Sequence, residues 1–108
     1  MIAVIFEAIT QPEQQSRYLE LAAELKPELS HVAGFIAIER FQSLSQEGKV
    51  LSLSWWEDEA SVIEWKRNMH HQAAQQEGKE TIFAHYRIRV VNVLRDYSSS
   101  SARVCPHV

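Results

Sequence analysis

Residues 51–71 read LSLSWWEDEASVIEWKRNMHH and carry all three tryptophans, an acidic helix start and two adjacent histidines. From Leu51 to Trp56 apolar and hydroxyl residues alternate with a period of two, as in a strand with one buried face. From Asp58 the period changes. Ala60, Ile63 and the pair Trp65/Lys66 recur at helical spacing behind Asp58 and Glu59, a capping side chain followed by negative charge at a helix N-terminus. A strand therefore runs directly into a helix, with aromatic rings around the junction.

On the N-terminal side, Gly34 opens a strand from Phe35 to Phe41, and Gln46-Glu47-Gly48-Lys49 supplies turn chemistry before the strand Val50 to Trp56. These two strands form a hairpin. Ile2 to Ile9 is an apolar, β-branched run stopped by Thr10-Gln11-Pro12. From Pro12 through Leu29, the residues Tyr18, Leu21, Ala22, Leu25 and Leu29 form the stripe of an amphipathic helix, with a kink or a new helix start expected at Pro27. On the C-terminal side, the helix begun at Asp58 is expected to run to about Lys66, to break or bend near Asn68 and to resume through Gln76 until Gly78 ends it. A long last strand, IFAHYRIRVVNVLRD from Ile82 to Asp96, is expected to pair at its end with something outside the monomer. Residues 1–97 make one domain, and residues 98–108, with the lone Cys105, read as a disordered tail. The order β-α-β-β-α-β is a ferredoxin-like α+β fold: a four-stranded antiparallel sheet with two helices on one face.

At 108 residues, 45% hydrophobic and 23% charged, the chain has the composition of one ordinary globular domain. A net charge of −3 with no basic stripe argues against nucleic acid as a partner. The apolar runs are far short of a membrane span, and the first residues lack a signal-peptide pattern, so a cytoplasmic location is the expectation. One cysteine excludes an intrachain disulfide and a cysteine-based zinc cluster.

Splitting each strand by parity separates two sheet faces. Ile2, Val4, Phe6 and Ala8, with Ile36, Ile38, Leu51, Leu53, Trp55, Ala84, Tyr86, Ile88 and Val90, are assigned to the face under the helices. The other face then holds Ile5, Glu7, Ile9, Phe35, Ala37, Glu39, Phe41, Ser52, Ser54, Trp56, His85, Arg87 and Arg89. A patch of that size is expected to be covered, most economically by a second copy in a homodimer with sheets face to face.

The residues Ala3-Val4-Ile5-Phe6-Glu7-Ala8, Pro27, Gly34-Phe35-Ile36 and Glu39-Arg40-Phe41 add up to a family pattern with four further pieces. These are Ser52-Leu53-Ser54-Trp55-Trp56-Glu57-Asp58-Glu59-Ala60, Trp65 with His71, Tyr86-Arg87, and Val90 with Val93. From Met1 to about Tyr97 the chain resembles the antibiotic biosynthesis monooxygenase domain family of the dimeric α+β barrel superfamily. The resemblance implies a homodimer and a cavity between helices and sheet. It also implies oxidation of aromatic compounds with dioxygen and neither metal nor flavin in some members, haem degradation in others, and no established activity in many. The haem-degrading relatives use an asparagine on the first strand, a tryptophan on the second helix and an iron-ligating histidine ten residues on. Trp65 matches the tryptophan, but Gln75 stands in the ligand position and Phe6 and Glu7 in place of the asparagine.

The leading expectation is thus a small cofactor-independent monooxygenase acting on an aromatic or quinone-like compound. His71 is its candidate base, because imidazole titrates near neutrality and this one lies about six residues beyond Trp65, near the expected helix break, with Trp65 and Trp56 lining the site. The alternative is a surface or capping histidine. The candidate substrate-binding set is Trp56, Phe35, Glu7, Arg87 and His85. Competing assignments are core for Trp65, the dimer interface for Trp56, and an intersheet ion-pair network for Glu7, Glu39, Arg87 and Arg89. No cofactor and no metal site is expected, since there is no Gly-rich phosphate loop, no His-x-x-x-His pair and no carboxylate cluster at metal spacing. The alternative is a non-catalytic dimer that binds a small ligand or serves in a stress response; haem binding or degradation ranks last.

Overall fold

The apolar, β-branched run at the start of the chain forms β1 (Ile2–Thr10). The computed structural model describes residues 1–99 and continues with α1 (Gln15–Leu29), β2 (Phe35–Gln42), β3 (Lys49–Trp56), α2 (Glu59–Lys66) and α3 (Met69–Glu77). A five-residue π-helical turn, Gly78–Ile82, then leads into β4 (Phe83–Asn92). The sheet order is β2-β3-β1-β4, with every neighbouring pair antiparallel. This is the expected ferredoxin-like α+β sheet with its helices on one face, except that the second helix is divided in two. Most of the expected tail, residues 100–108 with Cys105, lies outside the described residues.

Capping explains the division. The Asp58 carboxylate accepts hydrogen bonds from the backbone N–H of Ser61 at 2.9 Å and from its hydroxyl at 2.8 Å, which starts α2. Asn68 then leaves the helical conformation, and its side-chain oxygen accepts the backbone N–H of His71 at 2.9 Å, which starts α3. Gly34, at φ +89°, lies so close to the head of α2 that an added Cβ would overlap the Ser61 hydroxyl.

Two expectations along the chain need correction, and a third holds for a different reason. Pro27 does not start a new helix: α1 runs unbroken through it to Leu29, and the proline, two residues from the end, leaves only a short stretch of ladder beyond the N–H it lacks. Gly78 does follow the last residue of α3, as expected, but not through a left-handed turn. It keeps a right-handed conformation and is needed for space, since a Cβ there would meet the Phe83 ring at 2.7 Å. The last strand stops at Asn92 rather than Asp96, and just past it Val93 donates its N–H to the Met1 carbonyl at 2.9 Å.

The two faces are also drawn differently from the parity reading. On β3 the buried residues are Val50, Ser52, Ser54 and Trp56, and these lie under the helices, opposite Ala8, Phe6, Val4 and Ile2 of β1. Leu51, Leu53 and Trp55 point to the far face. Apolar character misassigned this strand because its helix-facing positions are small hydroxyl residues beside a cavity. Two register shifts change phase elsewhere. One, between Phe35 and Ala37, puts Phe35 against Trp56 on the helix side and leaves Ile36 exposed. The other, between Ile9 and Thr10, puts Phe83 on the helix side and leaves Ala84 exposed. Each shift is a local β-bulge, which breaks the period of two.

Two apolar clusters hold the helices to the sheet. Ala8, Tyr18, Val50 and Ile82, flanked by Phe6 and Phe83, pack at one end. Leu29, Trp56, Val62 and Trp65, flanked by Phe35 and Ile38, pack at the other. Burying side chains of this size contributes about 1.5–3 kcal/mol each before entropy is counted.

Candidate functional site

A cavity of about 190 Å³ lies between the helices and the sheet and draws its walls from both clusters. Phe6, Tyr18 and Phe83 form an aromatic wall, with Phe83 edge-on to Phe6 at 5.3 Å and to Tyr18 at 5.6 Å between ring centroids. Trp56 and Trp65 line it from the other cluster. Trp56 is 2% exposed, and its indole N–H donates to the Ser54 hydroxyl at 2.9 Å, so the ring is pinned against the cavity rather than turned toward a partner. That corrects the interface assignment of Trp56. Ile88 and Val90 also line the cavity, yet are 42% and 41% exposed, so it opens along the β4 edge.

His71 belongs to this wall. Its ring stacks on Trp65 with centroids 4.7 Å apart and planes 26° from parallel. The Asn68 cap fixes its backbone in the first turn of α3, and two ties fix α3 against α1. At one end Arg17 donates to both Glu77 carboxylate oxygens at 2.6 and 2.8 Å; at the other, Glu28 pairs with His70 at 2.7 Å. These partners hold the Glu77 and Glu28 carboxyls below the usual range. His70 is thereby accounted for as an exposed strut. For His71, burial disfavours the imidazolium and lowers the pKa; the Trp65 backbone opposes the shift and the Lys66 charge reinforces it. A neutral imidazole therefore faces the cavity at pH 7.

Among the described residues, two buried side-chain nitrogens lack a hydrogen-bond partner: Nδ1 of His71 and Nε of Arg40. Both residues line this one cavity. Arg40 was absent from the candidates read in the sequence, although it shares the parity of Ile38 on β2 and that signal alone would have placed it under the helices. Ser52 and Ser54 were missed for the reason given for β3, and Lys26, Lys66 and Gln75 because nothing local marks a cavity-lining polar residue.

The remaining candidates do not meet at His71. Phe35 packs behind Trp56, edge-on at 5.2 Å, and is not part of the lining. Glu7, Arg87 and His85 sit on the far face of the sheet, where Glu7 lies opposite Arg87 in register and accepts a bond from Arg89 at 3.3 Å. The sheet separates them from the cavity. A haem-type site is not supported either, since the cavity presents the Gln75 amide and Phe6 where the haem-degrading relatives have histidine and asparagine. Among the described residues no group of three or more His, Cys, Asp or Glu is placed to hold a metal ion, and no helix is long and apolar enough to cross a membrane.

The family model for antibiotic biosynthesis monooxygenases matches residues 1–77, most of the chain. The chain belongs to the antibiotic biosynthesis monooxygenase family. Within and around the family, it is 41% identical over 103 residues to a Pyricularia oryzae protein named Jasmonate monooxygenase ABM, covering 95% of this chain and 48% of that one. The chain thus spans about half the length of this relative. A Bacillus subtilis protein, YqjZ, is 27% identical over 93 residues, covering 86% of this chain and 79% of that one. The fold itself is matched by a solved Mycobacterium tuberculosis structure at TM-score 0.79 and 15% identity, over 90% of this chain and 98% of that one.

Proposed function

We propose that this member of the family is a monooxygenase acting on a small single-ring, aromatic or quinone-like carbonyl compound, with His71 as the base. The observation that carries the reading is His71 itself: a neutral, half-buried imidazole stacked on Trp65, with one ring nitrogen unpartnered, in the wall of an apolar cavity. Size favours one ring. An apolar cavity of about 150 Å³ is known to take up benzene, so about 190 Å³ suits a ring with a short substituent rather than a fused polycycle. The relative named as a jasmonate monooxygenase supports the same scale, jasmonate being a single-ring ketone.

In this reading the imidazole removes a proton from a CH2 carbon next to the carbonyl, and the carbanion passes an electron to dioxygen and combines with it into a peroxide that takes the proton back from the imidazolium. Loss of water across that carbon then leaves a new C=O, with one oxygen atom of dioxygen in the product and the other in water. The apolar wall keeps water from quenching the carbanion. Incubating the protein with quinols and cyclic ketones while following oxygen uptake tests it. His71→Gln should cut the rate about 100- to 10,000-fold while ligand binding persists. Equal rates would remove His71 from the mechanism, and a ligand that stabilises the protein without oxygen uptake would leave the non-catalytic binding reading in its place.

The far face of the sheet supports a homodimer. With Leu51, Leu53 and Trp55 assigned to it, beside Ile5, Ile9 and Phe41, it is more apolar than the sequence parity suggested, and a second copy is the cover that fits a self-complementary sheet.

A further inference from the structure

The charge on the cavity wall is one-sided. Three cationic side chains from three elements line it, Lys26 of α1, Arg40 of β2 and Lys66 of α2, and among the described residues no carboxylate does. The two lysines are exposed, as charged ends at a rim usually are. Arg40 is different: its Nε is buried, it has no hydrogen-bond partner, and among the described residues Arg40 makes no ion pair. A guanidinium stays charged at any working pH, and a buried N–H without a partner is a standing cost that an acceptor relieves. Ser52 is its direct cross-strand partner and puts a hydroxyl beside it on the same face of the sheet.

We propose that the cavity selects small apolar carboxylic acids, with the carboxylate held by Arg40 and the adjacent Ser52 hydroxyl and the ring held among the aromatic walls. The proposal rests on the reading of this cavity as the substrate site, and names the substrate class. A planar fork of N–H donors matches a carboxylate in two parallel bonds. Lys26 and Lys66 stand exposed at the rim, where water screens them, so they steer an anion inward and leave the discrimination between acid and amide to Arg40. The carboxylate fixes which end of the ligand enters, and so which ring carbon can reach His71.

Calorimetry with an acid and its neutral isostere, 3-phenylpropionate and 3-phenylpropionamide, tests the proposal on the unmodified protein, on Arg40→Met and on Arg40→Lys. The unmodified protein should bind the acid about 10- to 100-fold more tightly than the amide. Arg40→Met should bring the acid down to the amide's affinity and leave the amide unchanged, while Arg40→Lys keeps part of the preference. Equal affinities in the unmodified protein, no binding of either compound, or a preference that survives Arg40→Met would overturn it. Should Arg40→Met fail to fold, the unmodified protein and Arg40→Lys still decide. The outcome is separable from catalysis: acid-selective binding without oxygen uptake leaves the carboxylate site standing and removes the monooxygenase reading. Oxygen uptake with neutral ring compounds and no acid preference does the reverse.

Discussion

His71 is the residue on which burial, stacking and charge act together, and its protonation is tied to the stability of the fold. Burial, the largest cause, lowers its pKa from the ordinary 6.5. Above that value the ring is neutral in both folded and unfolded chains and costs nothing. Below it the unfolded chain takes up a proton that the folded one refuses, so stability falls as pH drops from about 6.5 toward the folded pKa. Glu28 and Glu77, lowered by His70 and Arg17 from an ordinary 4.5, withdraw their contributions only below that value. Urea midpoints should therefore decline between pH 6.5 and pH 5, and His71→Gln should flatten that decline. An unchanged slope in the variant would show that the imidazole is not the group responsible. Arg40 shows the opposite side of the residue scale, a charge that no pH removes and that only an acceptor can satisfy.

At the scale of elements, the break between α2 and α3 is what delivers His71 to the wall. Asn68 alone caps α3 with its side chain, and replacing it by alanine should cost about 1 kcal/mol in denaturant unfolding, with Asn68→Asp recovering most of it. A loss below about 0.3 kcal/mol would mean that the Arg17–Glu77 and Glu28–His70 ties position α3 without the cap. This break was legible in the sequence, because the Ala60–Trp65 helical spacing runs out at Asn68, a residue type that leaves helices readily. So were the strand order and the Tyr18–Leu29 stripe. The phase of β3 was not: Leu51, Leu53 and Trp55 look like a core row, and only tertiary packing tells that Ser52 and Ser54 face a space left unfilled. Bulges hid Phe35 and Phe83 in the same way. A single inserted residue exchanges the faces on one side of it, and single-sequence parity carries no marker of where that happens.

The whole molecule has one sheet face covered by its own helices and one left apolar. Light scattering should find a dimer at micromolar concentration, and Leu53→Glu, in the middle of the far face, should give a folded monomer with unchanged helical circular dichroism. A monomeric parent protein would make the apolar face a surface with some other purpose. The helix-covered face was readable from the sequence as a family feature, whereas its polar fittings emerged only when the strands were in register. Among those fittings Ser52 and Ser54 have a consequence for how such a chain diversifies. They are the short side chains that give the chamber its width, so its capacity can be adjusted at two codons away from the imidazole, Ser52 at the expense of its hydroxyl beside Arg40 and Ser54 at the expense of the Trp56 indole bond. One methylene of fit is worth roughly 1–3 kcal/mol in discrimination. Two β-strand serines are thus where a change of ring size would be written, with the base and the scaffold inherited from elsewhere in the chain.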